Sequence, residues 1–134
     1  MPAASTGSLM KRLWAKLRGS ATALGPGSSD GALHATRIET KRVRYGAEAL
    51  IPVFGKRAAR FASAAETLQE ALGEHQDAVV AMAWLTERAM EADDRAVAFT
   101  AGRLAELETV SRDRAREAWP KSWARLERQK RFWT

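Results

Sequence analysis

The stretch LHATRIETKRVRYGAEAL, residues 33–50, decides the fold. Its apolar and charged positions recur every three to four residues, which is the period of a helix and not of a strand. At about 100° per residue, with His34 at zero, Arg37, Lys41 and Arg44 fall within about 80° on one side. Glu48 continues this stripe one turn later. Ile38, Tyr45, Ala49 and Val53 cluster beside it and are expected to enter the core. Arg42 shares an angle with those apolar positions, so its stem is expected to pack while its head turns outward. The helix therefore carries a narrow ladder of cations along the edge of its buried face.

Such a ladder works against itself. Like charges three or four residues apart each cost roughly 0.2–0.5 kcal/mol in an isolated helix, about 1 kcal/mol over the close pairs here. A linear polyanion lying on the ladder would remove that repulsion and release its own counterions. Arginine offers forked contacts to phosphate oxygens, and lysine a point charge. The competing reading is a solvated face neutralised by the acidic stripe Glu66, Glu70, Glu74 and Asp77 on the next helix.

Working outward, four apolar-periodic segments appear and none reads as strand. SLMKRLWAKLRGS (8–20) spaces Leu9, Leu13, Trp14 and Leu17 as a helix does. GPGSSDG (25–31) is a loop with Asp30 as a helix cap, and a second helix runs from there to about Val53, where Pro52 and Gly55 end it. A third runs from near Lys56 to about Met90 with Phe61, Leu68, Leu72, Val79, Met82 and Leu85 near one face. ADDR (92–95) caps a fourth, which reaches about Trp119 through Val97, Phe99, Leu104, Leu107 and Val110. Pro120 is expected to begin a short terminal turn carrying Trp123, Phe132 and Trp133. Short connections between long amphipathic helices favour antiparallel neighbours. The expectation is an all-α antiparallel bundle of about four long helices, with residues 1–29 as a basic helix and linker and 30–134 as the bundle.

Composition narrows the function classes. The chain has 134 residues, 46% hydrophobic, enough for the core of one domain. It has no cysteine, which excludes disulfides, thiolate metal sites and a thiol nucleophile and fits a cytoplasmic location. MPAASTGSLM lacks the apolar core of a signal peptide, and the longest apolar run, AVVAMAWL (78–85), is too short to span a bilayer. The net charge of +6 is unevenly spread. Residues 8–60 hold eleven Lys/Arg against three Asp/Glu, residues 61–110 three against ten, and residues 111–134 eight against three. A basic start and end around an acidic middle suggest one face built for anions.

The opening stretch resembles a signature of the CHAD (conserved histidine α-helical) family, roughly L-H-x-x-R-I-x-x-K-R-x-R-Y. Leu33, His34, Arg37, Ile38, Lys41, Arg42, Arg44 and Tyr45 fit it. LQEALGEHQDAVV (68–80) resembles the family's L-Q-x-x-L-G-x-x-x-D-x-x-V segment at Leu68, Gln69, Leu72, Gly73, Asp77 and Val80. AGRLAE (101–106) and the closing FW are similar to the end of such domains, so the resemblance covers about residues 30–134. It implies an all-helical assembly of two related four-helix halves around a basic channel, which binds inorganic polyphosphate without catalysis. Carried over by position, it makes His34, Arg37, Lys41, Arg42 and Arg44 the polyphosphate ligands, with Lys56, Arg57 and Arg60 matching the basic start of the following helix. The family's first-half motif, of the H-x-x-R-V-x-x-R-R-x-R type, has no counterpart here. The chain thus reads as one half of such a two-bundle domain, either pairing with a second copy or presenting a half-open site.

His75 fails the Glu-x-x-His spacing of a di-metal bundle, because Leu72 stands where the glutamate would be, so a structural or surface role is expected. The five tryptophans are expected as core and terminal anchors. No P-loop, His-Glu-x-x-His or Gly-x-Ser-x-Gly motif occurs. The expectation is a non-enzymatic binding module with no cofactor and no metal. Its expected partner is polyphosphate or another polyanion, with a homodimer replacing the missing half. A nucleic-acid-binding basic helix and a protein-interaction module are the alternatives.

Overall fold

A computed structural model describes residues 3–134 and, among them, helices and connecting turns only. Five helices follow in order: α1 (Ala3–Ala23), α2 (Asp30–Ala49), the single turn α3 (Ile51–Phe54), α4 (Lys56–Glu91) and α5 (Arg95–Glu127). The four long ones pack as antiparallel neighbours. α2 opens on the cap Ser29, whose hydroxyl accepts the Ala32 N–H, and α5 on Asp94, whose carboxylate accepts from Ala96 and Val97. Gly55, at φ 66, supplies the left-handed residue that lets the chain reverse from α3 into α4.

The core side of α2 differs from the expected one. Leu33, Thr36, Thr40, Val43 and Ala47 are buried, whereas Ile38, Tyr45, Ala49 and Val53 face solvent. The reason lies in the two threonines. Thr36 donates its hydroxyl to the Ala32 carbonyl at 2.9 Å and Thr40 to that of Thr36 at 2.7 Å. With the hydroxyl satisfied inside the helix, each threonine presents a methyl group to the core. A stripe that hydropathy counts as polar is therefore the packed one. α1 lies against the same helix, and its Met10 occupies the space a Cβ at Gly46 would need, 2.7 Å from the sulfur.

One end of the bundle is an aromatic cluster. Trp14 stacks on Trp123 at 5.3 Å between ring centres and meets Phe61 edge-on at 5.4 Å. Phe132 touches Phe54, Phe61 and Trp133 at 5.1–5.5 Å. Arg131 closes the cluster from outside, its guanidinium 4.5 Å above the Trp14 ring. Burial holds its pKa below the ordinary arginine value, with the Arg18 charge adding to the effect. α5 runs through Pro120 to Glu127, so Trp123 lies in that helix and not in a terminal turn. Proline in a helix interior forfeits one backbone bond, and the buried Trp119 and Trp123 on either side of it hold α5 to the core.

Helix lengths set the shape. α4 and α5 are 36 and 33 residues long against 20 for α2, so they outrun it by several turns. Beyond Ala78 they form a bare hairpin in which Val80, Trp84, Met90, Val97, Phe99, Leu104, Leu107 and Val110 are all exposed. Trp84 is thus the exception among tryptophans expected to anchor the core.

Three elements meet where the hairpin leaves the bundle. Asp30 at the start of α2 accepts a 2.8 Å hydrogen bond from Arg116 of α5. The same oxygen lies 3.2 Å from Nε2 of His75, which α4 buries completely. That approach is an electrostatic contact, since neither ring nitrogen has a well-aligned hydrogen-bond partner. Arg116 holds the Asp30 carboxyl below its usual range, chiefly through that hydrogen bond. Burial, followed by the Arg116 charge, holds His75 below its ordinary 6.5. The unfolded chain therefore takes up the histidine proton before the folded one does. His75 contributes stability that is fully present above about pH 6.5 and is lost as pH falls through the lower folded value. Thermal melts of wild type and His75→Gln across pH 5–8 should converge as pH falls. A constant difference would deny His75 this role.

Candidate anion-binding face

The eight cationic candidates do not form one surface. His34, Arg37, Lys41 and Arg44 lie in a line on the side of α2 that turns toward α4, each half-buried. Successive rungs are three or four residues apart, about 4.5–6 Å along the axis. These four positions keep the helical spacing expected of them. Arg42 falls on the outer face of α2 beside the exposed Ile38 and Tyr45. Lys56, Arg57 and Arg60 stand exposed at the head of α4.

Within the ladder, Arg44 is already occupied. Its Nε bonds Glu48 at 2.8 Å, Nη2 lies 3.5 Å from Glu66, and Nη1 donates to Gln69 at 3.2 Å. The Glu48 hydrogen bond raises its pKa further above the already high arginine value. For this residue the neutralised-face reading holds.

The other three rungs are different. Among the described residues no carboxylate forms an ion pair with His34, Arg37 or Lys41. Nδ1 of His34 and Nε of Arg37 are buried without hydrogen-bond partners. Arg37 reaches over α4 at Gly73, where an added Cβ would sit 3.4 Å from Nε. Gly73, a residue type that weakens a helix interior, is therefore the floor under this guanidinium. A cavity of about 330 Å³ opens beside it, lined by Arg37, Gln69, Glu70, Gly73, Glu74 and Asp77. Its three carboxylates limit how deeply an anion can enter, so the usable surface is the outer edge of the ladder. Among the described residues no group of three or more His, Asp and Glu side chains could hold a metal ion. None of their helices is long and apolar enough to cross a membrane.

An all-helical bundle with a histidine and three cations in helical register along one helix defines the class of fold. The chain belongs to the CHAD domain family, whose sequence profile matches residues 2–86. That family is associated with polyphosphate binding. The match takes in α1, which the motifs alone had left outside, and ends within α4, so α5 lies beyond it. No curated protein and no solved structure matches the chain.

Proposed function

We propose that this protein binds inorganic polyphosphate without chemical turnover, through the outer edge of the α2 ladder. The observation that carries the reading is the alignment of His34, Arg37 and Lys41, accessible and free of ion pairs, on the signature helix of a CHAD domain. A phosphate chain laid along their outer edge takes charge-assisted hydrogen bonds from the Arg37 guanidinium and the Lys41 ammonium and ends the repulsion between rungs. Arg42 and Arg44 are ligands of the same family pattern with different expected weights. Arg42 reaches the chain from the outer face, whereas Arg44 must first leave Glu48 and Glu66. Titration with long-chain polyphosphate at several salt concentrations tests this. Binding should be saturable, and log K should fall linearly with log salt with a slope of about −2 or steeper, the mark of several neutralised phosphates. No binding even at low salt would refute it.

A second copy completes the assembly in this reading. The bare hairpin carries an apolar groove of about 660 Å³, lined among others by Trp84, Leu85, Val97 and Leu104. Arg88 also lines it and pairs with Glu87 and Glu91, while the exposed Asp93 and Asp94 at the hairpin tip are opposite in sign to the exposed Lys11, Arg12 and Lys16 of α1. An exposed apolar patch rimmed by charge marks an interaction surface, and the charge pattern suits a copy in reciprocal orientation. Sedimentation at tens of micromolar should give twice the 14.8 kDa chain mass, falling to one chain in Trp84→Glu/Leu104→Glu. A monomeric wild type would remove this part of the reading.

A further inference from the structure

The cations at the head of α4 belong to another face. Arg60 and Gln69 are nine residues apart in α4, a rotation of about 180°. Gln69 meets Arg44 of α2, so Arg60 points away from the ladder. Arg60 and Thr67 are seven residues apart and share a side. The Thr67 hydroxyl accepts a 3.3 Å hydrogen bond from Arg125 of α5. Lys121, Arg125 and Arg128 recur at i, i+4 and i+7, one stripe along the end of α5. All five of Lys56, Arg60, Lys121, Arg125 and Arg128 are exposed. Among the described residues none of them has an ion pair, not even Lys121 with Glu117 one turn before it.

Helix electrostatics accounts for only part of this patch. Arg125 and Arg128 sit at the C-terminal end of α5, where cations are favoured. Lys56 and Arg60 sit at the opposite kind of end, in the first five residues of a helix with no acidic residue in its first turn. Cations there oppose the helix dipole by roughly 0.3–1 kcal/mol each. Fold stability therefore gives no reason for them, and α5 lies outside the family match.

We infer that the α4–α5 base is a second polyanion strip, and that it takes another segment of the same polyphosphate chain. This rests on the ladder reading for the identity of the ligand. The two strips lie on opposite sides of α4, so one short phosphate chain cannot cover both, whereas a long one can wrap around the bundle. Occupying both converts the second contact into an intramolecular step, which raises affinity for long chains without any new kind of contact.

The test compares wild type, a ladder variant (Arg37→Gln/Lys41→Gln) and a base variant (Lys56→Gln/Arg60→Gln/Arg125→Gln/Arg128→Gln). The exchanged base residues are exposed, Arg37 and Lys41 are partly buried, and circular dichroism checks that each variant is folded. Calorimetric titration with a short polyphosphate should give two sites per wild-type chain and one in either variant. With a long polyphosphate the base variant should bind at least about tenfold more weakly, with a salt slope shallower by about 2 to 3. A single site in wild type, or a base variant indistinguishable from it, overturns the second strip. In that case binding lost only in the ladder variant leaves the ladder reading standing. Binding unchanged in the ladder variant but lost in the base variant moves the site wholly to α4–α5 and overturns the two-strip arrangement.

Discussion

Exchange of Arg37 and Lys41 for glutamine should lower the affinity for polyphosphate about 100-fold at near-physiological salt. A hydrogen bond to a charged group contributes about 1.5–3 kcal/mol, and 1.4 kcal/mol is tenfold, so roughly one decade per residue is a conservative sum. The loss should be one of binding and not of fold. Both residues are only partly buried and form no ion pair among the described residues, and glutamine keeps most of the stem that packs at the α2–α4 seam. Arg44→Gln provides the contrast. Its guanidinium joins α2 to α4 through Glu66 and Gln69, so this change should lower the melting temperature slightly and affinity by less than either ladder exchange. Equilibrium titration of the variants side by side, with their melting curves, checks both halves of the statement.

The second large effect is on stability. Phe132→Ala should cost about 3–5 kcal/mol, the usual range for truncating a fully buried phenylalanine. At this chain length that corresponds to a fall in melting temperature of about 11–18 °C. Phe132 is 1% exposed although it stands two residues from the last, and it touches Phe54, Phe61 and Trp133 at once. Releasing it also frees Arg131 from the Trp14 ring. Those contacts bring α1, α3 and α4 together through the last few residues, so the lesion spreads beyond a frayed terminus. Met90→Ala is the control: Met90 is 83% exposed on the hairpin, and its truncation should shift stability by no more than about 0.5 kcal/mol. Thermal denaturation followed at 222 nm separates the two.

Much of the helical organisation could be read directly. Asp30, Gly55 and Asp94 are local signals, and they mark the starts of α2, α4 and α5 to within a residue. The inward face of α2 could not be read this way. Thr36 and Thr40 are packed because their hydroxyls bond back to the helix, a choice that hydropathy does not express. Pro120 misled for a related reason, since the tertiary contacts of Trp119 and Trp123 outweigh one missing backbone bond. His75 and Arg116 are distant in sequence, and only folding brings them to Asp30.

The candidate site was legible in the same partial way. Helical spacing placed His34, Arg37 and Lys41 on one line because that relation is internal to a single helix. Whether a rung is free depends on a neighbour, and Glu66 and Gln69 claim only Arg44. The rotation of α4 about its own axis separates Lys56, Arg57 and Arg60 from the ladder they follow in sequence. Charge counts along the chain had already marked a basic end, and the fold brings part of it beside the head of α4.

The most direct measurement is a competition titration of the wild-type chain at fixed, near-physiological salt, with long-chain polyphosphate and single-stranded DNA compared at equal phosphate. A bare phosphate chain presents its charges more densely than DNA, and the ladder offers no row of aromatic rings for bases to stack on. The account predicts that polyphosphate displaces the DNA and that DNA does not displace polyphosphate. Equal or stronger binding of DNA would contradict it.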